Sequence, residues 1–96
     1  MARVELSEAA ARDLQRLILT YNLPADTPDR LLRRLRSLER FPRLGPALGG
    51  RWTQHRYVLG PWRWMVVVYE YLENQDLVLV VTIVDGRSKR SPTSSG

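Results

Sequence analysis

The spacing of apolar residues changes once along this chain of 96 residues, and that change limits the folds it can adopt. Between residues 8 and 41 apolar residues recur every three or four positions, which is the period of an amphipathic helix. From residue 55 to residue 84 they alternate or form short continuous runs, which is typical of strands. Helices followed by strands in so short a chain must bury their apolar stripes against one face of a sheet. The pattern therefore predicts an α+β fold with two layers.

Two helices are predicted in the first half of the chain, and together they form a helical hairpin. Ser7 is a good N-cap for the first helix, which ends before Pro24 because the residue before a proline avoids helical angles. The second helix is expected to begin with Thr27 as its cap and Pro28 in its first turn, and to end at residues 41–42. The inward positions of the two helices are Ala10, Leu14, Leu17, Ile18 and Tyr21, and then Leu31, Leu35 and Leu38.

One short strand is predicted at residues 3–6, and three more follow a loop rich in glycine and proline at residues 43–50. These later strands are placed at residues 55–59, 62–72 and 77–84, and a polar turn joins the last two. We therefore expect a small antiparallel β-sheet, with the N-terminal helical hairpin packed on one face and the other face bare.

The composition excludes several classes of functional site. The chain has no cysteine and a single histidine, which argues against disulfide scaffolds, thiol nucleophiles and multi-histidine metal sites. No glycine-rich loop opens a helix in the way that phosphate-binding loops do, so we expect neither a metal nor another cofactor. The chain also lacks an apolar membrane span or signal peptide, which predicts a cytoplasmic protein with no membrane partner. Residues 1–90 are expected to form one domain, and residues 91–96 a flexible tail.

The charge favours an anionic partner. The chain carries 15 basic and 10 acidic residues, a net charge of +5, and 14 of the basic residues are arginine. Five of these arginines are best explained as the solvated face of the second helix. The arginines of that face are Arg30, Arg33, Arg34, Arg36 and Arg40.

Three arginines outside the helices are better candidates for a functional site. Arg56, Arg63 and Arg87 lie in or next to three different predicted strands, where an arginine is costly unless it faces water or an anion. If these three arginines converge on the bare face of the sheet, their guanidinium groups could bind one phosphate together. Three unrelated edge arginines would produce the same pattern. Lys89 and Arg90 follow directly and would extend a basic site.

Aromatic residues near these arginines suggest contacts to nucleobases. Trp62 and Tyr57 are the aromatic residues best placed for exposure, and exposed aromatics beside arginines stack on unpaired bases. His55 is the one side chain whose ordinary pKa suits proton transfer near neutrality, although a lone histidine at a strand start is more often structural.

These pieces together resemble the RelE/ParE family of bacterial toxins from type II toxin–antitoxin systems. The resemblance runs from Val4 to Arg87. It is carried by residues 4–14, 38–45, 48–50, 56–63 and 86–87, and the run Arg56-Tyr57-Val58-Leu59-Gly60-Pro61-Trp62-Arg63 is similar to the family's basic stretch before its central strand. The resemblance implies a helical hairpin on one face of an antiparallel sheet. It also implies a toxin that is held inactive by a cognate antitoxin encoded beside it.

In the RelE-like branch, the resemblance implies a metal-independent endoribonuclease that cuts mRNA on the ribosome by attack of the ribose 2′-hydroxyl. Arg63 would then stabilise the charge on the phosphate, and Arg87 would protonate or brace the leaving oxygen. Arg56 occupies the place of a residue that helps to activate the 2′-hydroxyl, but an arginine cannot accept a proton. The base would have to come from His55 or from the ribosome.

Two other functions remain open from the sequence. The ParE-like branch has the same fold and poisons DNA gyrase by binding it, without enzymatic cleavage. A small basic module that binds nucleic acid, with no toxin role, would have the same composition.

Overall fold

A computed structural model describes residues 1–87 of the chain. Its helices are α1 (Glu8–Tyr21), α2 (Thr27–Arg34) and the single turn α3 (Ser37–Arg40). Its strands are β1 (Arg3–Leu6), β2 (Arg56–Leu59), β3 (Met65–Leu72) and β4 (Leu77–Asp85). The predicted α+β architecture, with the helices packed on one face of a sheet, is confirmed.

Helix α1 begins and ends where the sequence predicts. The Ser7 hydroxyl accepts a hydrogen bond from the Ala10 amide at 3.0 Å, which satisfies one of the unpaired donors of the first turn. At the other end Asn22 adopts a left-handed conformation, with φ of 51°, and its amide donates to the Ile18 carbonyl. In between, Ala10 and Leu14 are buried in the core.

The predicted second helix is interrupted at residues 35–36. The Leu35 amide donates to the carbonyls of both Leu31 and Leu32, and the Leu38 amide donates to the Leu35 carbonyl, three residues back. Such short bonds tighten the helix locally. The prediction of one continuous helix is therefore wrong, although Leu31, Leu35 and Leu38 are all buried as expected. Thr27 is not the cap, since its hydroxyl donates to the Pro24 carbonyl at 2.6 Å and Asp26 precedes the helix.

The sheet is mixed rather than wholly antiparallel. Its strand order is β1-β4-β3-β2, and the last three strands in the chain pair antiparallel as predicted. Strand β1 lies parallel to β4 at one edge, with Arg3 opposite Leu77. A parallel pair needs a long crossover, and the helices between β1 and β4 supply it.

The face of the sheet that was expected to be bare is partly covered. Leu48 and Trp52, from the loop between α3 and β2, pack against Val66 and Val68 of β3. The reason is that β3 is apolar on both sides, with Met65–Tyr69 all buried, so each face of the strand needs a cover.

Within residues 1–87, none of the helices is long and apolar enough to cross a membrane.

Candidate functional site

The turn between β2 and β3 positions Arg63. The predicted strand start at Trp62 is wrong, because Trp62, Arg63 and Trp64 belong to this turn and β3 starts at Met65. The turn is closed by a bond from the Gly60 amide to the Met65 carbonyl at 2.8 Å, and by one from the Met65 amide to the Trp62 carbonyl at 2.9 Å. Arg63 is exposed at the tip of the turn.

Three aromatic rings form a row beneath this turn. We call Tyr21, Trp62 and Trp64 the aromatic row. Trp62 and Trp64 are stacked with centroids 6.4 Å apart, and Tyr21 lies 4.8 Å from Trp64. Arginines cover both ends of the row, since Arg30 lies 6.0 Å from the Trp62 centroid and Arg87 lies 5.6 Å from the Tyr21 centroid and 5.2 Å from the Trp64 centroid. Trp62 and Trp64 pack against the helix-side core, so the row belongs to the helical layer and not to the opposite face of the sheet.

Arg87 is held in place by Asp85. Its Nε and Nη2 atoms each donate to the Asp85 carboxylate at 2.9 Å, and its backbone amide makes a third bond to the same group. The Tyr21 hydroxyl donates to Asp85 at 2.5 Å and so links the end of α1 to the end of β4. The Arg87 guanidinium holds the pKa of the Asp85 carboxyl well below its usual range; burial opposes this shift and the Tyr21 hydroxyl supports it.

This arrangement predicts a pH dependence of stability that can be isolated with the variant Asp85→Asn. A carboxyl whose pKa is lowered by folding contributes stability that is complete above its ordinary pKa of about 4 and is lost as the pH falls below it. We expect the wild-type protein to have the higher free energy of unfolding at pH 6, and the difference from Asp85→Asn to shrink towards pH 3. Urea denaturation of both proteins at several pH values measures it. A difference that does not change with pH would contradict the assignment.

A groove lined by arginines runs beside the aromatic row. It has a volume of about 750 Å³ and is lined by Asp26, Arg30, Arg33, Arg34, Ser37 and Pro61. A second pocket of about 340 Å³ shares Arg34 and Pro61 with it and reaches Arg63. We call these two neighbouring pockets the arginine groove. The Arg34 Nε donates to the Leu59 carbonyl at 3.2 Å, which joins α2 to the end of β2.

Arg56 lies away from Arg63 and Arg87. Arg56 pairs with Tyr69 of β3, and Tyr69 lies four residues beyond Met65, where β3 begins. Four residues span about 13 Å of strand, so Arg56 lies about that far along the sheet from the β2–β3 turn. Its Nη1 atom donates to the Gly45 carbonyl at 2.8 Å and to the Arg43 carbonyl at 3.3 Å, so the guanidinium holds the loop before β2. The structure thus brings Arg63 and Arg87 to one end of the domain and leaves Arg56 at the other. The expectation of one three-arginine phosphate site on a bare sheet face is not met.

His55 and Tyr57 also lie at the Arg56 end. The His55 Nδ1 atom is buried without a hydrogen-bond partner, and its ring meets the Trp52 ring edge-on at 5.4 Å. Tyr57 is half-buried against the loop-covered face of the sheet. Of the predicted base-stacking residues, Trp62 therefore lies beside Arg63 and Tyr57 does not. Lys89, Arg90 and the tail at residues 91–96 lie outside the described residues.

Two parts of this site differ from what the sequence predicts. Tyr21 was assigned to the core stripe of the first helix, yet it is exposed and bonds Asp85. Arg33 and Arg34 were assigned to a solvated face; they are exposed, but the fold places Arg34 against the β2–β3 turn. Their spacing from Arg30, at i+3 and i+4, was the only available signal that these side chains share a helix face. Among residues 1–87 there is no cluster of side chains suited to a metal ion.

Comparisons with known proteins agree with this fold. The family described as "ParE toxin of type II toxin-antitoxin system, parDE" matches residues 4–90. The toxin–antitoxin complex RelBE2 from Mycobacterium tuberculosis contains a chain with a TM-score of 0.67 and 17% identity, over 88% of this chain and 96% of that one. A chain of the intact RelBE complex from E. coli has a TM-score of 0.67 and 14% identity, over 94% of this chain and 100% of that one. A copper-bound mutant toxin from Helicobacter pylori has a TM-score of 0.66 and 22% identity, over 91% of this chain and 97% of that one.

No curated protein matches the chain in sequence. The solved structures establish the fold, and the family match extends over nearly all of the chain. The chain therefore belongs to the RelE/ParE family and is a toxin of a type II toxin–antitoxin system.

Proposed function

We propose that this toxin inhibits growth by cleaving mRNA on the ribosome, with Arg63 as its contact to the scissile phosphate. The observation that carries the proposal is the setting of Arg63. It is exposed at the tip of the β2–β3 turn and, within residues 1–87, no carboxylate pairs with it. The half-buried Trp62 precedes it, so a cation for a phosphate and a ring for a base are adjacent.

The reaction in this proposal needs charge stabilisation more than it needs a protein base. The ribose 2′-hydroxyl attacks the neighbouring phosphorus, and its proton passes to an acceptor on the ribosome or the RNA. The bond between phosphorus and the 5′-oxygen breaks and that oxygen takes a proton from solvent water, so that a 2′,3′-cyclic phosphate and a 5′-hydroxyl result. Negative charge builds on the phosphate oxygens during the attack, and the planar guanidinium of Arg63 can bind two of them at once.

The other predicted catalytic residues take different parts. Arg87 braces the leaving oxygen rather than protonating it, because arginine does not release its proton in proteins. Asp85 orients Arg87 through Nε and Nη2, while Nη1 has no carboxylate partner within residues 1–87. Arg56, at the far end of the β2–β3 hairpin, positions the loop through its bond to the Gly45 carbonyl, and the backbone of His55 bonds the same loop at Leu48 and Trp52. The proton acceptor is therefore supplied by the ribosome or by the RNA.

We also infer that a cognate antitoxin holds this toxin inactive. The family description names a toxin–antitoxin system, and two of the solved structures with this fold are toxin–antitoxin complexes. Exposed apolar side chains on the helical side offer such a partner a surface: Leu19 is 75% exposed and Phe41 is 61% exposed. A ribosomal target places the active toxin in the cytoplasm.

The test is to induce the wild-type toxin without antitoxin and to map new 5′ ends on two reporter mRNAs. One reporter is translated, and the other differs only in its start codon and is not translated. We expect new 5′-hydroxyl ends within minutes on the translated reporter alone. Growth arrest with gyrase-linked DNA breaks and no new mRNA ends would instead support the ParE-like function and overturn the proposal.

A further inference from the structure

We propose that the arginine groove binds the phosphate backbone of single-stranded RNA next to the phosphate held at Arg63. This inference rests on the proposed function and extends it, because it assigns a path to the substrate on either side of the cleaved bond. The two pockets share Arg34 and Pro61, and their lining together extends from Asp26, at the start of α2, to Arg63 in the β2–β3 turn.

The groove is lined mainly by positively charged side chains. Four arginines and one carboxylate line it, and the carboxylate, Asp26, pairs with Arg30 at 3.0 Å. Arg33, Arg34 and Arg63 have no carboxylate partner within residues 1–87. Three guanidinium groups along one groove attract a polyanion, and each matches the geometry of a phosphate.

Part of the groove is already held in place before a ligand binds. The bond from the Arg34 Nε to the Leu59 carbonyl fixes the direction of that side chain and leaves both η nitrogens for a ligand. Arg30, Arg33 and Arg34 share one face of α2 because they are spaced by three and four residues. A side chain held before binding loses less conformational entropy when the ligand arrives.

The residues that line the groove favour a nucleic acid over a protein as its occupant. Protein interfaces have a buried core with large apolar or aromatic anchors. The main pocket of the groove is lined by arginine, aspartate, serine and one proline, which resembles the polar and strongly positive surfaces that bind nucleic acids. Arg30 lies over the Trp62 ring beside the groove, and a single strand, unlike a duplex, can bring an unpaired base to this arginine–aromatic pair.

The experiment measures binding of the purified toxin to a fluorescein-labelled, single-stranded RNA of 12 nucleotides by anisotropy at several salt concentrations. The test variant is the double substitution Arg33→Gln and Arg34→Gln, which keeps good helix formers in α2. The matched control is Arg12→Gln with Arg51→Gln, which removes the same charge from exposed positions outside the groove. Far-UV circular dichroism and urea denaturation establish that both variants are folded.

We expect the groove variant to lower the slope of log K against log salt by about 1.4, which is about 0.7 for each lost phosphate contact, and to weaken binding roughly tenfold at 0.1 M salt. The control should change the slope by much less. An unchanged slope in the groove variant, or equal changes in both variants, overturns the proposal. So does a groove variant that binds RNA normally and loses the antitoxin, since the groove would then be a protein interface.

The failure of this inference can be told apart from the failure of the proposed function. If induction of the wild-type toxin cuts translated mRNA while the groove variant keeps its salt slope, only the path assigned to the RNA is wrong. If induction cuts no mRNA, the proposed function is wrong, whatever the anisotropy shows.

Discussion

The substitution Gly45→Ala is expected to destabilise the protein by about 4 kcal/mol, which is at the upper end of what single substitutions do. A β-carbon at Gly45 would lie 2.1 Å from the Tyr57 carbonyl oxygen and 3.1 Å from the Tyr69 hydroxyl. The nearer atom belongs to the backbone of β2 and cannot rotate away. Gly45 has no positive φ, so the cost is steric and arises from the close approach of the loop to the strand.

The clash would also break the contacts that fix the loop. The Gly45 amide donates to the buried Tyr69 hydroxyl at 3.0 Å, and its carbonyl accepts from Arg56 at 2.8 Å. Urea denaturation followed by circular dichroism measures the effect. Gly49→Ala is the matched control, because nothing lies within 4 Å of its β-carbon position and its backbone is extended; it should change the free energy of unfolding by less than about 0.5 kcal/mol. Similar losses in the two variants would show that the close approach is not what matters.

The parts of the fold that could be predicted are those that the periodicity of burial reports directly. The stripe of Leu31, Leu35 and Leu38 indicated one buried helix face, and all three are buried. What periodicity does not report is the direction in which a strand is paired, or a short break in a helix that leaves the same residues inside. The parallel β1 and the tightened turn at Leu35 therefore escaped prediction.

The sequence does contain a signal for the covered second face of the sheet. The run of six apolar residues at residues 64–69 predicts a strand that is buried on both faces, and this is incompatible with a bare face. Leu48 and Trp52 supply the cover, from a loop whose path depends on the contacts of Gly45 and Arg56. Long-range contacts of this kind leave no periodic trace in the sequence.

The candidate site was predicted in part for a related reason. The sequence singles out Arg56, Arg63 and Arg87, but spacing alone cannot say which end of a hairpin a side chain occupies. Arg63 and Arg87 lie at the same end of the domain, Arg63 in the β2–β3 turn and Arg87 over Trp64, while the carbonyls of the loop before β2 bind Arg56. Arg34 reaches this end through the packing of α2 on the β2–β3 turn.

The substitution Arg63→Ala is expected to reduce the rate of mRNA cleavage by about 10²- to 10³-fold, since it removes a donor aimed at charge that develops in the transition state. Arg63→Lys should fall in between, because lysine keeps the charge and loses the two-pronged geometry. The measurement is single-turnover cleavage of mRNA on programmed ribosomes by each purified variant. Neither variant should alter stability by more than about 0.5 kcal/mol, because Arg63 is exposed and makes no ion pair within residues 1–87.

Arg12→Ala is the matched control for this experiment. Arg12 is exposed on α1, also without an ion pair in the described part of the chain, so its loss removes one charge without touching the β2–β3 turn. We expect the control to cleave at nearly the wild-type rate. If Arg63→Ala also cleaves at that rate, the phosphate is held elsewhere, and the exposed guanidinium of Arg63 is not part of the catalytic site. If Arg63→Ala loses cleavage and Arg63→Lys restores it fully, charge rather than paired hydrogen bonding stabilises the phosphate, because lysine supplies the first and not the second.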